Sequence, residues 1–345
     1  MAKVFNWGII GCGKIAHKFA KDIQVLKSAK LHAVASRTKD KALAFGKGYD
    51  VEHCYGSYEE MLLCPKLDVI YIATPHVTHC ANTIMCLNGK IPVLCEKPFA
   101  MNAVEVRRMV AASKKNDTFL MEALWTRFLP TIKKTLSIIE RGTIGEIQTI
   151  KADFGFRASA GAAGRLFDQN LGGGALLDVG IYPVFLSLLL LGKPVDIKAI
   201  ANIGKTNVDE NCAMLFKYPE NKMAVLDCSI VTKTASEALI YGTKGTIRIN
   251  SRWHEPTSMT VLMDGKEPKD YFFDFESNGY SYEIEEVQRC LRANKQSSDL
   301  LSHHFSLDLI ELLDEIRRIA GIHYPNNDGY TKLPQSKSDS NFFLN

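Results

Sequence analysis

The hexapeptide Gly11-Cys12-Gly13-Lys14-Ile15-Ala16 narrows the fold more than any other feature of the chain. It follows directly on the apolar run 6–10 and opens a helical pattern over 14–26. In a strand–turn–helix unit this GxGxxA spacing has a mechanical meaning. Gly11 permits the tight turn, Gly13 lets the backbone approach a pyrophosphate, and Ala16 lets the helix pack closely on the sheet. The helix N-terminus then offers free N–H groups and the positive end of its dipole to an anion. The surrounding pattern agrees. Apolar runs at 6–10, 31–36, 68–72, 92–95 and 119–121 alternate with helical segments near 14–26, 39–47, 57–63, 78–88 and 103–116. That alternation predicts right-handed βαβ units and a parallel sheet.

After Trp125 the texture changes. A helix is predicted over 130–141, then extended segments at 146–154, 196–203, 211–218, 223–231, 235–241, 245–249, 259–263 and 271–275, separated by turn signals. These read as an open, mostly antiparallel sheet. One helix, 174–191, interrupts it, two more at 282–293 and 306–320 follow, and 334–345 reads as a loose polar tail. At roughly 100–200 residues per domain, 345 residues suggest two. The expected division is an α/β Rossmann domain over 1–124 and an α+β domain for substrate binding and oligomerisation over 125–345.

Charge and cysteine usage exclude several roles. The net charge is only +4 and no block of five like charges occurs, so neither nucleic acid nor a membrane surface is an expected partner. The longest apolar stretch, 181–191, is about half a membrane span and contains Pro183. The segment 1–7 lacks the apolar run of a secretory signal, which points to the cytosol. The nine cysteines are scattered without a CxxC pair, so neither structural zinc nor a disulfide framework is expected, and no metal is assigned.

The ends of the strands supply the candidate site. The second strand closes on Ser36-Arg37-Thr38, where a carboxylate would hold a ribose 2′-hydroxyl; Arg37 instead suits a 2′-phosphate, favouring NADP over NAD. Together with the hexapeptide, these three residues form the expected cofactor cradle. Thr74, Pro75 and His76 follow the strand 68–72 and are expected along the nicotinamide half, with His79 one turn further facing the substrate. The strand 92–95 runs into Glu96-Lys97-Pro98. A charged pair after a buried strand costs desolvation unless it is used or paired, so Lys97 is expected to point at the reacting centre, with Glu96 beside the cofactor. An X-Pro bond at this point can be cis. Asp178 and Tyr182 stand i, i+4 in the apolar helix after Gly172-Gly173-Gly174. A lysine near Tyr182 is expected to favour its phenolate, as a proton shuttle coupled to hydride transfer requires.

These residues resemble the glucose-fructose oxidoreductase / inositol dehydrogenase (Gfo/Idh/MocA) family. The shared marks are GxGxxA, Glu96-Lys97-Pro98 and Asp178-x-x-x-Tyr182. A narrower likeness, to the dimeric dihydrodiol dehydrogenases, lies in 57–60, 94–98, 121–128, 173–182, 242–245 and 280–283, and spans about 4–325. Many members carry His where this chain has Tyr182, which puts it in the tyrosine branch. The resemblance implies NADP, a Lys97–Tyr182 pair at the reacting carbon, and a pocket lined by His79, Trp125 and Phe154, with Arg157 and Arg165 as further polar contacts. It also implies a homodimer or higher homo-oligomer through the outer face of the C-terminal sheet. The expected reaction moves a hydride between the nicotinamide and a secondary alcohol or carbonyl of a cyclic diol, sugar or dicarbonyl. The rivals are an aldose 1-dehydrogenase or anhydrofructose reductase on the same residues, and a sensor of NADP or sugar without turnover.

Overall fold

The computed structural model describes residues 3–159 and 164–325; the expected tail at 334–345 lies outside them. The apolar runs of the first third form one parallel sheet of β1 (Phe5–Ile10), β2 (Ala29–Ala35), β3 (His53–Tyr55), β4 (Val69–Ile72), β5 (Val93–Glu96) and β6 (Leu120–Ala123). Their spatial order is β3-β2-β1-β4-β5-β6. The order reverses between β1 and β4, and the crevice at the carboxyl ends of those strands is where open α/β sheets bind ligands. Central strands β1, β4 and β5 are buried almost throughout because helices cover both faces of the sheet. These helices are α1 (Lys14–Val25), α2 (Lys39–Lys47), α3 (Tyr58–Met61), α4 (His79–Asn88) and α5 (Ala103–Asn116). The edge strand β3 escaped the sequence reading: three half-buried residues are too short to display a period.

After α6 (Pro130–Glu140), a second sheet is built from β7 (Ile147–Gly155), β8 (Asp196–Ile203), β9 (Asp209–Lys217), β10 (Met223–Ser229), β11 (Ala238–Gly242), β12 (Gly245–Ile249), β13 (Met259–Met263) and β14 (Lys269–Tyr271). It runs β14-β13-β12-β11-β7-β10-β9-β8, antiparallel except where β10 lies parallel to β7. The strand expected at 271–275 is shorter and earlier. The apolar helix α7 (Ile181–Leu191) packs on β7 and β10. The stretch Gln169–Leu191 is long and apolar enough to cross a membrane, but 83% of its most apolar window is buried inside the protein. Hydrophobicity on every face marks a core helix of this kind.

The last helices, α8 (Ser281–Arg292) and α9 (His303–Ala320), return to the first sheet's layer and pack on α1 and α5. Asp22 on α1 anchors this return. It is fully buried, and its carboxylate accepts the backbone N–H groups of Asn278 (3.1 Å), Tyr280 (2.7 Å) and Ser281 (3.1 Å) at the start of α8. Unpaired N–H groups at a helix N-terminus and a buried carboxylate satisfy each other there.

Candidate active site

At the end of β1, Gly11 adopts φ +96° and donates its N–H to Ala35 O at 2.9 Å. A side chain at Gly11 would meet the Ala73 carbonyl at 2.8 Å, so both the conformation and the space demand glycine. Gly13 differs: a Cβ built on it meets nothing within 4 Å. It borders open space in front of α1, whose first turn carries no acidic residue and whose N-cap makes no side-chain bond. Lys14 is exposed there, Ile15 half-buried, and Cys12 and Ala16 pack inward. Burial pushes the Cys12 thiol up to about 11. Free N–H groups, a dipole end and no competing anion make a cradle that fits a pyrophosphate. Beside it, Ser36 is buried with its N–H on Tyr55 O (3.2 Å), while Arg37 and Thr38 are exposed. Thr38 caps α2 without using its side chain.

Lys97 leaves the end of β5, and its bond to Pro98 is cis. Its Nζ donates to the backbone carbonyl of Asp178 at 2.5 Å and lies 5.0 Å from the centre of the Tyr182 ring. The helix explains why a carbonyl is available. Leu176–Gly180 is wound as a π-turn rather than the uniform α-helix expected for 174–191. Pro183 just beyond it has no N–H to give. The turn is anchored by Asp209, whose carboxylate accepts the Leu176 N–H at 2.6 Å. Gly174, at φ +122°, is required beside it, since a Cβ there would lie 2.2 Å from the same carboxylate.

The Tyr182 hydroxyl accepts the indole N–H of Trp125 at 2.9 Å. Trp125 stacks on Tyr280 at 4.4 Å between ring centres, and Phe154 stacks on His254 at 3.7 Å. Phe154 and His254 lie 5.6 and 5.1 Å from the Tyr182 ring. The structure thus brings together Lys97, Asp178, Tyr182, Trp125 and Phe154, and adds His254 and Tyr280, which the sequence reading missed. Tyr280 lay within a stretch that carried the family likeness, whereas His254 had no local signal.

The electrostatics correct one expectation. Burial raises the Tyr182 phenol well above its ordinary value, and the Glu96 carboxylate adds to this; the Trp125 hydrogen bond only partly offsets it. One Lys97 N–H goes to the Asp178 carbonyl, and burial outweighs any help the ammonium gives the phenolate, so in the free protein Tyr182 is an acid, not a phenolate. Burial also opposes ionisation of Asp178, but the Lys97 ammonium and the Arg165 guanidinium, 2.6 Å from its Oδ1, outweigh burial and hold the carboxyl well below the usual range.

Two further expectations are corrected by geometry. His79 is fully buried, and its ring nitrogens lie 2.8 Å from Pro98 O and 2.9 Å from Thr74 O. It ties the β4 and β5 loops together and presents no atom to a substrate. Desolvation lowers its pKa to about 4 despite the two carbonyls. Glu96 turns inward, accepting the Tyr71 hydroxyl and the Lys97 N–H, and burial raises it to about 6. His76 joins the Asp178 cluster: Nδ1 lies 3.1 Å from Gly172 O and Nε2 3.4 Å from Arg165 Nη1. Thr74 is almost buried, its hydroxyl accepting from Thr78 and Asn82, and Pro75 is half-buried at the same strand end. Arg157 is exposed, with its backbone bridged to Val231.

Residues 5–124 match an oxidoreductase family with an NAD-binding Rossmann fold, and 132–248 match the C-terminal domain of the same GFO/IDH/MocA group. The chain belongs to this family. It is 37% identical over 331 residues to trans-1,2-dihydrobenzene-1,2-diol dehydrogenase of Danio rerio, covering 92% of this chain and 98% of that one. Among solved structures, it superposes with TM-score 0.84 on a 3-ketoreductase from Actinomadura kijaniata in complex with NADP and TDP-benzene. That pair is 22% identical and covers 92% of this chain and 98% of the other. A levoglucosan dehydrogenase in complex with NADH also gives 0.84, at 17% identity and coverage of 92% and 97%. Family membership makes this protein an oxidoreductase.

Proposed function

We propose that this protein is an NADP-dependent dehydrogenase or reductase acting on a secondary alcohol or carbonyl of a cyclic diol or sugar. One observation carries the reading: a buried Tyr182 hydroxyl, held by the Trp125 indole, beside a lysine at the ligand-binding edge of a Rossmann sheet. The bound nicotinamide supplies or accepts the hydride at its C4. On reduction, Tyr182 gives its proton to the oxygen of the carbonyl; on oxidation it takes that proton back. The protonated phenol of the free protein suits the reductive direction. Lys97 keeps positive charge beside the ring, and Asp178, kept ionised, balances Lys97 and Arg165. The rings of Trp125 and Phe154 offer apolar faces to a cyclic substrate, as such faces do in ligand sites. The dihydrodiol dehydrogenase relative supports the diol class for this chain. The NADP-bound neighbour and the exposed Arg37 support the choice of dinucleotide.

A homodimer is part of the proposal. Ile200, Leu215, Met223 and Val225 stand 36–72% exposed on β8, β9 and β10, the outer face of the second sheet. Contiguous apolar side chains of this kind mark an association surface. A cytosolic location also fits, since all nine cysteines are free, as a reducing compartment keeps them.

The test is a screen of cyclic diols, aldoses and dicarbonyls read by NADPH absorbance. Turnover of diols or their ketone counterparts is expected; turnover confined to aldoses would move the assignment to an aldose dehydrogenase, and binding without turnover to a sensor.

A further inference from the structure

On the far edge of the first sheet, His32, His53 and Cys64 bring their ligand atoms within 4.8 Å of one another. They come from β2, β3 and the loop after α3, so no linear motif links them. We propose that they form a three-ligand binding site for a zinc-class divalent metal ion, its fourth position open toward solvent beside Glu52.

The backbone builds the cluster. Trp7 pairs with Leu31 and Gly8 with Ala33, which leaves His32 as the extra residue of a β-bulge. A bulge re-aims the side chain it carries. The His32 ring meets His53 edge-on at 4.6 Å. His32 is 6% exposed, yet its Nδ1 has no hydrogen-bond partner. Its other nitrogen, Nε2, lies 3.1 Å from Pro65 O. A neutral ring that donates from Nε2 to this carbonyl leaves an unshared pair on Nδ1. A metal-bound histidine is set in the same way, with its second N–H on a carbonyl fixing the tautomer.

Glu52 borders the cluster on the solvent side. Its two oxygens lie 3.7 Å from His32 Nδ1 and 3.5 Å from His53 Nε2. Its side chain is 59% exposed and that of His53 27%, so an ion has a path in. Two imidazoles and a thiolate match a borderline-soft ion better than calcium or magnesium, which prefer oxygen alone. Tetrahedral zinc at 2.0–2.3 Å from each ligand separates them by about 3.4–3.7 Å, so closure of the three protein ligands needs side-chain shifts of about 1 Å. On binding, Cys64 gives its proton to solvent and its sulfur bonds the metal.

The experiment titrates the chelator-treated, full-length protein with cobalt(II), then displaces it with zinc(II). One equivalent of cobalt should give a thiolate-to-metal charge-transfer band that zinc abolishes. Cys64→Ser should lose that band. Cys54→Ala should keep it, because the Cys54 thiol faces Gly46 on the opposite side of β3. His53→Ala, at a partly exposed position, should bind at least about tenfold more weakly and lose the zinc-induced rise in melting temperature. The absence of one-to-one cobalt binding would overturn the proposal, as would a band unchanged in Cys64→Ser or a zinc response unchanged in His53→Ala.

Discussion

Replacing Tyr182 by Phe removes one oxygen and keeps the ring packed against Phe154 and His254. Two quantities then change for different reasons. A positioned general acid contributes about 10²–10⁴ in rate, so kcat should fall by that factor, or about 3–5 kcal/mol in barrier. Stability should fall through another group. The Trp125 indole N–H, on a side chain 5% exposed, loses its only bonded acceptor among the described residues. An unsatisfied buried donor costs about 1–3 kcal/mol. NADPH affinity, measured by fluorescence titration, should stay near wild type, because the cradle at Gly11–Ala16 is untouched. Trp125→Phe separates the effects: it keeps an aromatic ring against Tyr280 and the Tyr182 hydroxyl in place while removing the indole hydrogen bond and part of the buried ring, so kcat should drop about tenfold at most. In the wild type, Tyr182 is pushed above its ordinary value of 10.0, so it stays protonated at lower pH. It should cause no fall in kcat/KM for reduction between about pH 7 and 10. A Tyr182→Phe enzyme with more than about a tenth of wild-type kcat would refute the assignment.

Four further outcomes are expected. Arg37→Asp should reverse the preference of NADPH over NADH, measured as the ratio of dissociation constants; an unchanged ratio would remove Arg37 from the 2′-phosphate site. Asp22→Ala strands three backbone N–H groups at the start of α8 and should cost about 3–5 kcal/mol in urea unfolding. Ile200→Lys, placed where the side chain is 72% exposed, should shift sedimentation from dimer to monomer while leaving the monomer folded. His79 is held neutral in the fold, with a pKa near 4, whereas the unfolded chain takes up its proton near 6.5. Stability from this group is therefore complete above 6.5 and is lost as pH falls toward 4, on the order of 3 kcal/mol, with His76 acting in the same direction. A shallower acid limb in His79→Gln, followed by thermal melts across this range, is the check.

Much of the molecule was legible in order along the chain. The strand–helix alternation up to residue 123, the GxGxxA turn and the placement of Lys97 at a strand end depend on period and local sterics, which a sequence displays directly. The second sheet was also readable as extended segments, because its strands bury one face and alternate. Strand order, the parallel β7–β10 pair and the return of α8 and α9 to the first layer depend on contacts between distant segments and were not readable.

The site divides along the same line. Sequence alone determined which side chains could do chemistry: a lysine after a buried strand, a tyrosine in an apolar helix, and glycines where no Cβ fits. Only the tertiary structure decided their states and partners. It withdrew His79 and Glu96 from the cleft, seated His254 and Tyr280 around Tyr182, and kept the phenol protonated although a lysine lies near its ring. Protonation is set by desolvation and by charges within a few ångströms, and those neighbours arrive from β5, β6 and the loops near 254 and 280 only when the chain has folded.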